Sequence, residues 1–195
     1  MLHMNIATKI KNIPCVILAG GQSKRMGSDK SLLSFQNETT LIKFQYKKLS
    51  NIFQNIFISS KVDKFDFPCN IIYDSSKIYS PMVALSSILK TLSNQKVFII
   101  PVDSPFVKED TIVQMIANSN ENYDVTICAD THKVHNLIGI FDRNIIPQIE
   151  EMLQNDNHKI NHLLSQKLKT RIIYFEDSEQ FINLNTPDDL KKVHT

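Results

Sequence analysis

The sequence predicts an α/β protein built on a mostly parallel central sheet, and two observations carry that prediction. Short runs rich in Val, Ile and Phe alternate along the chain with stretches of helical period, which argues for strands joined by helical crossovers. A length of 195 residues at 42% hydrophobic and 22% charged suits one well-buried core. The expectation is a single domain over residues 1–195, with 1–12 as a flexible amino-terminal extension.

The first strand is Cys15 to Ala19. Asn55 to Ser59, Asn70 to Tyr73, Val97 to Val102, Asp124 to Ala129 and Asn136 to Phe141 follow, with Thr170 to Phe175 as a candidate seventh. Helical stretches run from Thr40 to Leu49, Pro81 to Leu92, Lys108 to Ala117, Asn144 to Leu153, Ile160 to Leu164 and Pro187 to Val193. Their starts are marked chemically. Thr39 or Thr40 offers an N-cap hydroxyl, Pro81 opens the second helix, and Thr186 precedes Pro187 with Asp188 and Asp189 in the first turn. No internal repeat is present, and Ser119-Asn120-Glu121-Asn122 is a polar connection.

Composition excludes several classes. A formal net charge of +2 is too small for a general nucleic-acid binder, and no run of five or six like charges forms a basic arm. Cys15, Cys69 and Cys128 are odd in number and lack C-x-x-C spacing, so buried reduced thiols in a cytoplasmic protein are the expectation. No apolar segment approaches the roughly 18 residues of a membrane span. Lys9 and Lys11 before Ile13 to Ala19 imitate a secretory signal, but the run is minimal, contains Pro14 and ends in a basic glycine turn, so it reads as the first strand.

That turn is the most informative place in the chain. Of four glycines, Gly20, Gly21 and Gly27 fall within the eight positions after Val16-Ile17-Leu18-Ala19, with Lys24, Arg25 and Lys30 threaded among them. Glycine suits places where the backbone takes φ > 0 or comes close to a ligand, and such a turn presents main-chain N–H groups to an anion. A Walker loop is excluded because Gly27 is followed by Ser28-Asp29-Lys30 rather than Lys-Ser/Thr. A dinucleotide loop is excluded because Gly20 and Gly21 are adjacent and no helix-forming run follows Gly27. What remains is a long strand-to-loop cradle of cations.

The second place is Val97-Phe98-Ile99-Ile100-Pro101-Val102-Asp103-Ser104-Pro105, a buried-type strand that ends in one carboxylate. Magnesium is held by one or two carboxylates plus phosphate oxygens, and ligands of open α/β sheets lie outside the carboxyl ends of strands where strand order reverses. If this strand and the first flank that point, Asp103 faces the glycine turn across a gap of triphosphate size. The alternative is a plain turn or helix-cap role for Asp103.

The stretch Leu18-Ala19-Gly20-Gly21-Gln22-Ser23-Lys24-Arg25-Met26-Gly27-Ser28-Asp29-Lys30-Ser31-Leu32-Leu33 resembles the opening motif of the molybdenum cofactor guanylyltransferases, the enzymes that join GMP to molybdopterin. Asp103-Ser104-Pro105 resembles that family's Asp-x-Pro, and Phe181-Ile182-Asn183-Leu184-Asn185-Thr186-Pro187-Asp188-Asp189-Leu190 its closing Asn-x-Asn-Thr-Pro segment. The resemblance spans about residues 14 to 193.

It implies a three-layer αβα, Rossmann-like nucleotidyltransferase fold. It also implies a reaction in which a terminal phosphate of molybdopterin attacks the α-phosphorus of GTP and pyrophosphate leaves. By the same resemblance Leu18, Ala19, Gly20, Gly21, Lys30, Ser59, Asp74 and Asp103 bind the nucleotide. Arg25 and Lys30 neutralise the triphosphate, Asp103 holds Mg²⁺, and Asn183, Asn185 and Lys159 lie on the pterin side. Molybdopterin-transfer proteins and molybdoenzyme chaperones are the implied further partners.

Plainer roles stand beside these: a solvated charge for Lys24, loop and cap duty for Asn183 and Asn185, a strand-end turn for Asp74. Where the family has Gly-Pro-Leu-Ala-Gly this chain reads Ser80-Pro81-Met82-Val83-Ala84, near Ser59 it lacks the family's Asn, and it has His135-Asn136 for His-Pro. The first two departures touch the base and ribose contacts and the third the start of its strand; a related enzyme using CTP or a sugar phosphate is one alternative and a noncatalytic nucleotide-binding assembly factor another. His158 and His162 have the i, i+4 spacing of a zinc pair but lack the Glu of H-E-x-x-H and a third ligand.

Overall fold

Cys15–Leu18 forms the interior strand β1, in which Cys15, Val16 and Ile17 are wholly buried, as a strand covered on both faces requires. The computed structural model describes residues 9–21, 29–74, 76, 78–166, 168–185 and 189. The further strands are β2 Ile56–Ser60, β3 Asn70–Tyr73, β4 Lys96–Pro101, β5 Val125–Ala129, β6 Val134–Asp142 and β7 Thr170–Tyr174. They make a seven-stranded sheet in the order β3-β2-β1-β4-β6-β5-β7. The pairs β1–β2, β2–β3, β1–β4 and β5–β7 are parallel, and only β6 runs antiparallel to both neighbours.

After β1 the chain adds β2 and β3 on one side and β4 on the other. The carboxyl ends of β1 and β4 therefore flank the point where strand order reverses. On the far side, β5 turns through residues 130–133 into β6, which inserts between β4 and β5. Gly139 of β6 lies opposite Ile127, at a register shift in β5. A Cβ there would meet the Thr126 carbonyl oxygen at 2.5 Å and the Ile127 Cγ2 at 2.7 Å, so only glycine fits.

Among the described residues, five α-helices cover the sheet: α1 Leu41–Leu49, α2 Pro81–Thr91, α3 Glu109–Asn118, α4 Ile146–Gln154 and α5 Ile160–Gln166. The alternation of side chains along the strands splits the core in two. Ile17, Ile58, Phe98 and Ile100 pack with Ile42 and Leu49 of α1 and Ile112 and Met115 of α3. Val16, Ile72, Val97 and Ile99 pack with Leu85 and Ile88 of α2, Ile149 of α4 and Leu163 of α5. The result is the expected three-layer αβα arrangement.

The helix starts follow their caps. Thr40 Oγ1 accepts from the Lys43 amide at 3.4 Å, and Ser80 Oγ from the Met82 amide at 3.2 Å with Pro81 at the first helical position. The fourth expected helix begins instead as a 3₁₀ turn, Arg143–Ile145, capped by Asp142. Pattern reading also passes over two further 3₁₀ turns, Lys30–Leu32 and Glu179–Phe181, which are too short to show a period. Apart from Asp189, the helix expected from Pro187 to Val193 lies outside the described residues. Within the segment expected as an extension, Ile10 forms a short parallel bridge with Phe53 and packs on the core.

Candidate active site

In register at the carboxyl ends of the strands, Leu18 of β1 lies between Ser59 of β2 and Pro101 of β4. The Ala19 amide donates to the Ser59 carbonyl at 2.9 Å and the Val102 amide to the Leu18 carbonyl at 3.1 Å. The glycine turn and Asp103 thus leave the sheet side by side. One strand further out, the Asp74 amide donates to the Ser60 carbonyl at 3.1 Å and brings a second carboxylate to the same edge.

A cavity of about 370 Å³ opens there, within the size range of small-molecule sites. Leu18, Ala19, Gly20, Gly21, Lys30, Ser59, Asp74 and Asp103 are among the residues that line it. All eight residues expected to bind the nucleotide therefore meet in one space, although Lys30 and Asp103 are 73 positions apart. Neither Gly20 nor Gly21 takes a left-handed φ, and a Cβ at Gly21 would meet nothing within 4 Å. The left-handed backbone that the sequence reading allowed is thus not present at these two glycines.

Lys30 stands on the 3₁₀ turn Lys30–Leu32, and its ammonium pairs with Asp103 Oδ2. Both side chains are largely covered, at 19% and 13% exposure. Asp103 Oδ1 is buried and has no hydrogen-bond partner among the described residues. An orphaned buried carboxylate oxygen demands explanation, and a hard cation bound by oxygen ligands supplies one, so Asp103 fits a Mg²⁺ ligand.

Asp29 caps that turn, accepting from the Ser31 amide at 3.0 Å and its hydroxyl at 2.6 Å. Lys64 pairs with Asp29 and donates to the Ala19 carbonyl at 3.1 Å, so it ties the exit of β1 to the start of the Lys30 turn. Burial pushes the Asp29 carboxyl up, but Lys64 and Ser31 together hold it below the usual range. Lys61 pairs with Asp74 at 3.1 Å, donates to the Ile78 carbonyl at 3.1 Å and sits 4.5 Å from the centre of the Tyr79 ring. Lys61, Lys64 and Tyr79 line a neighbouring cavity of about 520 Å³ that shares Gly20, Gly21 and Asp29 with the first. Sequence reading missed these lysines. The available signal was their place directly after β2, equivalent to that of Gly20 after β1.

Asn183 adjoins the Asp103 loop: its Oδ1 accepts from Ser104 Oγ at 3.1 Å, and the Leu184 amide donates to the Asp103 carbonyl at 2.9 Å. Asn185 is exposed, its amide donating to Asp189 Oδ2 at 3.0 Å. Lys159 is exposed at the start of α5 and lines neither cavity. Arg25, with Lys24 and Gly27, lies outside the described residues. His158 and His162 do not converge: the first is partnered by Asp156 at 3.1 Å, the second by Asn157 at 3.1 Å.

Residues 15–171 match the MobA-like NTP transferase domain. The chain belongs to that family. This NTP transferase is 38% identical over 186 residues to a molybdenum cofactor guanylyltransferase of Campylobacter jejuni subsp. doylei, covering 94% of this chain and 96% of the relative. A molybdenum cofactor guanylyltransferase of Helicobacter pylori is 29% identical over 92% of this chain and 90% of its own. Molybdopterin-guanine dinucleotide biosynthesis protein A of Archaeoglobus fulgidus superposes with a TM-score of 0.79 at 20% identity, over 93% of this chain and 96% of that one, and so shares the fold. Among the described residues of this NTP transferase, no helix is long and apolar enough to cross a membrane.

Proposed function

We propose that this NTP transferase is a molybdenum cofactor guanylyltransferase that transfers GMP from GTP to molybdopterin. The observation that carries the reading is the single cavity in which the glycine turn, Lys30 and Asp103 meet at the strand-order reversal. Support comes from the two guanylyltransferases, which match nearly the whole chain.

In the reaction a terminal phosphate oxygen of molybdopterin bonds to the α-phosphorus of GTP, the bond from that phosphorus to the bridging oxygen breaks, and pyrophosphate leaves. Little covalent work falls on the protein in such a transfer, so positioning and charge stabilisation supply the acceleration. Gly20 and Gly21 leave open backbone against which the triphosphate lies. Lys30, with Arg25 from the same motif, offsets charge that builds on the leaving pyrophosphate. Asp103 holds Mg²⁺, which when bound supplies charge neutralisation at the phosphates. Ser59 and Asp74 border the nucleoside, and Asn183, Asn185 and Lys159 serve the pterin side.

The reaction belongs in the cytoplasm. All three cysteines are unpaired, Cys15 and Cys128 buried as expected and Cys69 only half-buried; burial pushes the Cys128 thiol up to about 12 and Cys15 well above its ordinary value, and inert thiols at these two suit that compartment. Molybdopterin-transfer proteins and molybdoenzyme chaperones are the partners to which substrate and product chemistry points.

Pyrophosphate release tests the reading. Purified protein with Mg²⁺ and molybdopterin is expected to release pyrophosphate with GTP and far less with CTP or ATP. Release with CTP instead would assign a cytidylyltransferase, and GTP binding with no release an assembly factor.

A further inference from the structure

The loop that carries Asp103 is held from behind by α1. Gln45 Nε2 donates to the Ser104 carbonyl at 3.0 Å, and Lys48 Nζ donates to the Pro105 carbonyl at 2.7 Å and to that of Val107. Gln45 and Lys48 are i, i+3 neighbours on one face of the helix, and Gln45 is wholly buried. Three backbone acceptors just after Asp103 are thus satisfied by side chains almost 60 positions earlier in the chain. Burial lowers the Lys48 ammonium to about 8, with Glu109 acting the other way. An apolar side chain would have filled this space without that desolvation, whereas an ammonium fixes two carbonyls at once.

The same helix also touches the Lys30 side. The Leu41 amide at its start donates to the Leu33 carbonyl at 2.7 Å, directly after the 3₁₀ turn that bears Lys30. One rigid element is therefore anchored to the Lys30 turn at its amino end and to the Asp103 loop at its carboxyl end. The ion pair between those two residues is spanned by a helix rather than by loop alone.

We propose that Gln45 and Lys48 are positioning residues for Asp103, fixing its loop so that the unpartnered Oδ1 is presented to Mg²⁺ beside Lys30. The proposal rests on the assignment of Asp103 to Mg²⁺ above. It adds that the affinity for the ion is set by two side chains that touch neither metal nor nucleotide.

The test is Mn²⁺ binding to the protein–GTP complex without molybdopterin, read by water-proton relaxation. It is run for wild type, Gln45→Leu, Lys48→Met, Lys48→Arg and Asp103→Asn, each first shown folded by circular dichroism. Gln45→Leu and Lys48→Met are expected to weaken Mn²⁺ binding by about 10- to 100-fold, the range for groups that orient a metal ligand. GTP affinity without metal should stay within about threefold, and Lys48→Arg should restore most of the loss. If Lys48→Met does not fold, Gln45→Leu decides, since it keeps the ammonium. Weak binding in Asp103→Asn with wild-type binding in Gln45→Leu and Lys48→Met overturns the proposal and leaves the role of Asp103 standing. Wild-type binding in Asp103→Asn overturns both.

Discussion

Lys30 and Asp103 form one ion pair across 73 positions of sequence, and each has a task the other cannot do. In the proposed reaction the ammonium offers charge to a leaving phosphate, while the carboxylate keeps one buried oxygen without a partner among the described residues. Lys30→Ala is expected to lower kcat by about 10²-fold or more, the range for removal of one preorganised charge stabiliser. Asp103→Ala is expected to do the same, and the double variant should fall little further than either single one, because residues acting as a unit are not additive. Single-turnover kinetics at saturating GTP would show this; an Asp103→Ala enzyme at wild-type rate would refute the assignment.

At this scale the sequence was informative where chemistry is local. The glycine turn and the strand-end carboxylate were legible because each is a short pattern with its own physical meaning. The pairs Lys64–Asp29 and Lys61–Asp74 were not, since nothing in the order of residues says which charges the crossovers will bring together.

Among the elements, the strands were the most legible, because a parallel sheet buried on both faces leaves continuous apolar runs. The antiparallel insertion of β6 between β4 and β5 was hidden, as pairing partners leave no trace in a strand's own composition. Gly139 marks that insertion. Gly139→Ala should force β5 and β6 apart and destabilise the fold by about 1–3 kcal/mol, as overpacking does. Urea unfolding would register this as a lower midpoint at unchanged slope; an unaltered midpoint would show that the bulge at Ile127 yields freely.

α1 is the element whose role least resembles its sequence signal. Its helical period and threonine cap announced a helix, but nothing in them singled out Gln45 and Lys48, which hold the Asp103 loop.

For the whole molecule, acid sensitivity follows from one buried pair at the β5–β6 turn. Asp130 Oδ2 lies 3.2 Å from His135 Nε2, with both side chains at 4% exposure, and the imidazole stacks on Phe181 at 4.3 Å. Burial holds His135 below its ordinary value, with Asp130 opposing. A histidine depressed in the folded state takes up protons more readily once unfolded. Its contribution is therefore complete above about pH 6.5 and is lost as pH falls through that value toward the folded one. Burial pushes the Asp130 carboxyl up, yet the Lys133 and His132 amides and the His135 ring hold it below the usual range, which gives the same sign at lower pH. The melting temperature should rise from pH 5 to 7 and rise less in His135→Asn; equal slopes in the two proteins would remove the pair from this account.

Ligand binding acts on the same scale. GTP at about 100 times its dissociation constant should add roughly 2.7 kcal/mol to stability, visible as a higher melting temperature, and CTP at the same concentration should add less.

The most direct measurement follows the α-phosphate itself. With GTP labelled at that position, Mg²⁺ and molybdopterin, the wild-type protein should yield labelled molybdopterin guanine dinucleotide and one pyrophosphate per dinucleotide, and the Lys30→Ala protein almost none. GTP that binds in the cavity while no label reaches molybdopterin would contradict the account.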